Sequence, residues 1–148
     1  IRDRFTDKFV GKTQINLNLA NDKKISFDLE SSDITELLKN SDFVSLHVPA
    51  QKSYVIGKNE FNLMKTGAGL INAARGGVVD EKSLIESLNS GKLAFAGVDT
   101  FENEPKPSVK LLMHPKVSLS PHIGAATNEA QDRIGIELAN QIITLVKE

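Results

Sequence analysis

The chain has 148 residues, 40% hydrophobic and 25% charged, the composition of one ordinary globular domain long enough to bury a core. Its 18 lysines and arginines against 19 acidic residues leave a net charge of -1, so nothing draws it at long range to nucleic acid or an anionic membrane; a charged ligand has to be held locally. The absence of cysteine excludes a disulfide framework and a thiolate metal site, and no apolar run approaches the roughly 18 residues that span a bilayer, so a cytoplasmic location is expected.

Ile1 is not an initiator methionine and no signal-peptide pattern follows it, so the chain reads as cut from a longer one. Two alternating apolar runs come first, Ile15-Leu17-Leu19 and Ile25-Phe27-Leu29, with polar residues 20–24 between them. That alternation predicts a β-hairpin with one packed face and one wet face. Asp33 and Glu36 then mark the start of a short helix carrying Leu37 and Leu38 and ending near Asn40.

From Phe43 the pattern becomes strand, helix, strand. The run Phe43 to Val48 is strand-like and stops at Pro49; a helical segment follows around Glu60, Phe61, Leu63 and Met64. A strand at Gly69–Asn72 is broken by Gly76-Gly77, and Asp80 or Ser83 starts a helix with Leu84, Ile85 and Leu88 that Gly91 ends. Ala94–Val98 and Val117–Ser120 are the next strands, and Thr127 caps a long final helix with Ile134, Leu138, Ile142 and Leu145 at helical spacing. Short strands alternating with helices imply parallel strands joined by crossovers, an α/β chain.

In an open parallel sheet the ligand lies beyond the carboxyl ends of the strands, where loops meet helix amino termini. The chemically able residues stand there: His47-Val48-Pro49, then Asn72 through Gly77, then Asp99 through Pro105, then Pro121 through Gly124. Arg75 beside two glycines can offer a flat fork to a carboxylate, although an arginine in a loop is equally a surface residue and Gly-Gly equally a turn. Glu104 and His122 lie on loops that adjacent strand ends bring together, where a carboxylate on one imidazole nitrogen leaves the other free to pass a proton. Alone, a histidine after proline is a structural side chain; three such residues on consecutive strand ends favour chemistry. His114 is given no role. No histidine or carboxylate pair has metal-ligand spacing and no serine sits in a nucleophile elbow, so neither a metal site nor acyl-enzyme chemistry is expected.

The forms INAARGGVVD (71–80), VDTFENEP (98–105) and SPHIGAAT (120–127) together resemble the D-isomer-specific 2-hydroxyacid dehydrogenases, and HIGAATNEAQDRIG (122–135) looks like the phosphoglycerate dehydrogenase branch of that family. The resemblance runs from about Asp33 to the end. It implies the second half of a Rossmann-type NAD-binding domain, with residues 31–148 family-like and residues 1–30 a poorly matched segment holding the hairpin. By resemblance Arg75 holds the substrate carboxylate and carbonyl, His122 is the acid/base, Glu104 orients His122, and Asp99 faces the nicotinamide end. Ala73, Ala74, Gly124 and Ala125 line the cofactor, and His47, Val48 and Pro49 lie along its adenosine side. Asp7 is the candidate ribose ligand, with Asp3 as rival, and a carboxylate there favours NAD over NADP.

The implied reaction is NAD-dependent oxidation of a D-2-hydroxy acid, D-3-phosphoglycerate to 3-phosphohydroxypyruvate in serine biosynthesis being the first expectation. Glyoxylate or hydroxypyruvate reduction is the alternative, and an NAD-sensing binding protein like the family's corepressors is another. The family's glycine-rich phosphate loop is a departure, since the sequence contains no GxGxxG. The chain is therefore expected to bind NAD weakly or not at all by itself and to have no turnover. An unpaired sheet edge and the apolar-faced final helix predict association, a dimer in the full-length parent.

Overall fold

The structure is a computed structural model that describes residues 12–18 and 24–146. It divides into two compact units, residues 1–37 and 38–148. In the first, strands β1 (Lys12–Asn18) and β2 (Lys24–Glu30) pair antiparallel with Ile15 opposite Phe27, the predicted hairpin. The packed face predicted for it is not seen at Ile25 and Phe27, which are 40% and 47% exposed. A two-stranded ribbon has no second layer of its own with which to enclose an apolar face.

Helix α1 (Ile34–Asn40) starts where Asp33 accepts the Thr35 amide at 2.8 Å, and it buries Leu38 completely while Leu37 stays exposed. The second unit is a parallel sheet in the order β3-β4-β5-β6, formed by Phe43–Leu46, Ala68–Asn72, Leu93–Val98 and Val117–Leu119. Its crossovers carry α2 (Lys58–Leu63), α3 (Glu81–Asn89) and a four-residue α4 (Val109–Leu112), the last too short to leave a sequence period. Helix α5 (Asn128–Val146) closes the chain.

The strands advance across the sheet in one direction. Successive crossovers of one hand then fall on the same face. Val44, Leu46, Leu70, Ala96 and Val98 are accordingly buried with Phe61, Leu84, Leu88 and Leu111 of the helices and with Met64 just after α2. Their alternates along the strands, Phe43, Ile71 and Phe95, remain exposed. Phe43 and Phe95 meet above Gly69, with ring centroids 6.1 Å apart, in the space a side chain at Gly69 would fill. Every described residue of α5 is solvent-accessible; Ile134, Leu138 and Ile142 are more than half exposed.

The predicted caps are in place. Asp80 accepts the amides of Lys82 and Ser83 at the start of α3, Gly91 follows its end at φ 76°, and Thr127 accepts the Ala130 amide at the start of α5. His114 bonds Asn89 and the Lys116 amide, a structural histidine at the end of α4.

Candidate active site

Three loops at the carboxyl ends of β4, β5 and β6 carry the candidate chemistry. After β4, the buried side chain of Asn72 shapes the chain: its Oδ1 accepts the Ala74 amide at 3.2 Å and its Nδ2 donates to the Arg75 carbonyl at 3.4 Å. Arg75 is thereby held at the head of the loop with its side chain outward. Its Nη1 donates to the Ala74 carbonyl at 2.6 Å, and it makes no hydrogen bond to Glu104 or His122 among the described residues.

After β5, Asp99 sits 8% exposed and works as a loop anchor. Its Oδ1 accepts the Ser120 hydroxyl at 2.7 Å and the Ile123 amide at 3.0 Å, and its Oδ2 accepts the Gly124 amide at 3.1 Å. Burial works to raise its pKa, but these hydrogen bonds, with the neighbouring His122, outweigh it and hold the carboxyl below the usual aspartate value. Two successive amides can converge on one carboxylate because His122, just before them, adopts φ 55°. For a residue other than glycine that conformation is uncommon and strained, and here the Asp99 bonds enforce it.

Glu104 faces His122 across this turn. The His122 Nδ1–H donates to Glu104 Oε2 at 2.9 Å and Oε1 at 3.1 Å. Glu104 also accepts the Phe101 amide at 3.0 Å; that bond first, and the one from His122 second, hold its carboxyl below the ordinary glutamate range. An ionised carboxylate can only accept, so Nδ1 carries a proton, and Nε2 has no hydrogen-bond partner among the described residues. The pair is partly exposed, with 43% of the His122 side chain accessible and 38% of that of Glu104.

A cleft of 210 Å³ crosses the ends of β4, β5 and β6 between Ala73, Asp99 and Ser120, floored by Gly97 and Ser118. Ala73 is exposed and Ala74 buried; Gly124 and Ala125 lie exposed on the His122 turn. Two larger hollows of 430 Å³ each are lined only by residues of α5, with Glu137 in both but no histidine.

On β3, His47 lies just past the strand end with its Nε2 2.8 Å from the Ser45 hydroxyl, followed by half-buried Val48 and exposed Pro49. Asp3 and Asp7 lie outside the described residues. The sequence gives no direct sign of four organising groups: Asn72, Ser120, Glu81 and Glu102. Asn72, Ser120 and Glu102 sit inside motifs read for other residues. Glu81 and Glu102 are 21 residues apart and are linked only through space, each accepting the other's backbone amide. Among the described residues no cluster of histidine and carboxylate groups has the makings of a metal site, and no helix is long and apolar enough to cross a membrane.

Residues 11–124 match the family described as D-isomer specific 2-hydroxyacid dehydrogenase, NAD binding domain, a span that includes the hairpin. A glyoxylate reductase of Thermococcus litoralis is 46% identical over 120 residues, 80% of this chain and 36% of that protein. A D-3-phosphoglycerate dehydrogenase of Archaeoglobus fulgidus is 43% identical over 118 residues, 78% of this chain and 22% of its own length. Among solved structures, a glyoxylate reductase from Paecilomyes thermophila superposes with a TM-score of 0.68 at 37% identity, covering 79% of this chain and 36% of the other. The chain thus spans between about a fifth and two fifths of these relatives. With its family match covering both the parallel sheet and the Arg75, Glu104 and His122 loops, the chain belongs to the D-isomer-specific 2-hydroxyacid dehydrogenases, as part of their NAD-binding domain.

Proposed function

We propose that this chain supplies the carboxylate-binding and proton-transfer groups of an NAD-dependent D-2-hydroxyacid dehydrogenase. The observation that carries the proposal is the Glu104 and His122 pair: an ionised carboxylate fixes one imidazole nitrogen and leaves the other facing the open side of the loops. NAD, when bound, supplies the ring that exchanges hydride with the substrate's C2. His122 Nε2 takes the proton from the C2 hydroxyl during oxidation, and the protonated ring returns it during reduction. Glu104 stabilises the imidazolium that forms between these steps. Arg75, released from the Ala74 carbonyl, grips the substrate carboxylate and steadies negative charge at the C2 oxygen.

For the cofactor, the small residues Ala73, Gly97 and Ser118 leave a flat-walled cleft beside Asp99 that suits the nicotinamide end. Ala74, Gly124 and Ala125 extend that wall, His47, Val48 and Pro49 serve the adenosine side, and Asp7 or Asp3 holds the ribose. The sequence has no GxGxxG to cradle the pyrophosphate, so the chain alone binds NADH weakly and turns over no substrate. Residues 1–148 are on this reading an incomplete NAD-binding domain, with the glycine-rich loop and the substrate domain supplied from outside it.

D-3-phosphoglycerate, oxidised to 3-phosphohydroxypyruvate in cytoplasmic serine biosynthesis, is the first substrate proposed, on the strength of the HIGAATNEAQDRIG run. A second reading, reduction of glyoxylate or hydroxypyruvate, is favoured by the 46% identity to a protein named for glyoxylate. The exposed apolar residues of α5 support a homodimer, testable by sedimentation at several concentrations. Calorimetric titration with NADH, on this chain and on a chimera joining it to the upstream half of the Thermococcus litoralis relative, tests the cofactor reading. Binding by the chimera alone is expected; tight binding by the isolated chain contradicts the account. Profiling the chimera on D-3-phosphoglycerate, glyoxylate and hydroxypyruvate, beside the unaltered Thermococcus litoralis relative, tests the substrate.

A further inference from the structure

The loop after β5 is tied to the loop after β4 by two carboxylates that each serve the other's backbone. The Glu81 amide donates to Glu102 Oε1 at 2.9 Å, and the Glu102 amide donates to Glu81 Oε1 at 2.8 Å. Glu81 is the first residue of α3, where its amide is free for an outside acceptor, and it is only 7% exposed. The Glu102 charge, the largest cause, also raises the pKa of Tyr54, in the segment that follows His47-Val48-Pro49.

The clasp sits one peptide from the candidate chemistry. Three successive backbone groups are each committed to a different partner. The Phe101 amide binds Glu104, the Phe101 carbonyl packs against Gly76, next to Arg75, and the Glu102 amide binds Glu81. Displacing Glu102 therefore shifts the donor that fixes Glu104 and the surface on which the Arg75 loop rests. The arrangement is also costly: burial pushes the Glu81 carboxyl above the ordinary range, and the Glu102 charge adds to that, against the pull of the Glu102 amide. A neutral acceptor would hold the same two amides without placing two carboxylates together.

We propose that the reciprocal Glu81 and Glu102 clasp is a positioning device that keeps Glu104, and through it His122, in register with the Arg75 loop. Its catalytic meaning rests on the hydride-transfer reading above; its geometric meaning does not. Neither glutamate touches the reacting atoms, so both are positioning residues.

The test is nuclear magnetic resonance on the whole chain, following the Glu104 carboxyl titration, the Arg75 Nε–H resonance and amide hydrogen exchange. In Glu81→Ala and Glu102→Ala the Glu104 titration moves up toward the ordinary glutamate range, the Arg75 signal shifts, and Phe101 amide exchange accelerates at least about tenfold. Glu81→Gln and Glu102→Gln, which keep an acceptor oxygen, leave all three near the unaltered chain. Alanine variants that fold with Glu104 and Arg75 unchanged overturn the proposal, and so do glutamine variants that behave like alanine. Should the alanine variants fail to fold, exchange in the unaltered chain decides: the Glu81, Glu102 and Phe101 amides open with one common protection factor if the clasp is a unit, and separately if it is not. None of these readouts uses turnover, so they can succeed while the hydride-transfer reading fails, or the reverse.

Discussion

A Cβ on Gly76 would stand 1.9 Å from the carbonyl oxygen of Phe101, so the loop bearing Arg75 and the loop bearing Glu104 touch backbone to backbone. No side-chain rotation relieves such a contact. Gly76→Ala is expected to lower stability by about 2–3 kcal/mol, at the upper end of overpacking costs. Gly67→Ala, at φ 84° with open space around it, should cost about 1 kcal/mol from backbone conformation alone. Chemical denaturation of both variants checks the order. A Gly76→Ala chain as stable as Gly67→Ala would mean the two loops are not packed as described.

Acid should loosen the His122 turn. Asp99 and Glu104 are held below their ordinary values of 3.8 and 4.5. A carboxyl with a lowered folded pKa contributes stability that is present above the unfolded value and is lost as pH falls through the folded one. Asp99→Asn should therefore flatten the acid limb of the stability profile and cost roughly 2 kcal/mol at neutral pH, the scale of a hydrogen bond to a charged group. Thermal unfolding between pH 2 and about 7, across the carboxylate range, measures it. An acid limb as steep as that of the unaltered chain would remove Asp99 from the explanation.

Glu81 runs the other way. Its carboxyl is raised above 4.5, so its contribution is present below that value and declines as pH rises through the higher folded one. Glu81→Gln should accordingly gain stability at neutral pH relative to its effect at acid pH, seen as a pH-dependent difference in Tm. A Tm difference that does not change with pH would contradict the burial of an ionisable Glu81.

Thr100 is 2% exposed, and its hydroxyl is a buried side-chain oxygen without a hydrogen-bond partner among the described residues. Replacing it by the isosteric valine removes an unsatisfied polar group without opening a cavity. Thr100→Val is expected to be neutral or stabilising by up to about 1–2 kcal/mol. Loss of Tm in that variant would indicate a partner for the hydroxyl.

The parallel sheet and every helix but α4 were legible because apolar runs, glycine breaks and capping residues such as Asp80 and Thr127 are local signals. The meeting of Glu104 with His122 was legible because strand ends in a parallel sheet converge. Other features arise only in three dimensions. The one-sided burial of the sheet follows from strand order, which leaves Phe43 and Phe95 exposed in segments read only as strands. The left-handed His122 backbone, which aims two amides at Asp99, has no glycine to announce it. The Glu81 and Glu102 clasp joins residues whose local sequence suggests a helix start and a solvated loop.

On the function proposed above, His122, oriented by Glu104, moves the proton at C2. Steady-state kinetics of the chimera with a D-2-hydroxy acid and NAD, with and without His122→Asn, tests it most directly. Turnover of the D isomer only is expected, with kcat falling by about 10²–10⁴-fold in His122→Asn while NADH binding holds within about twofold. Unchanged kcat in His122→Asn would contradict it, and a chimera that binds NADH yet turns over no 2-hydroxy or 2-keto acid would favour an NAD-sensing role instead.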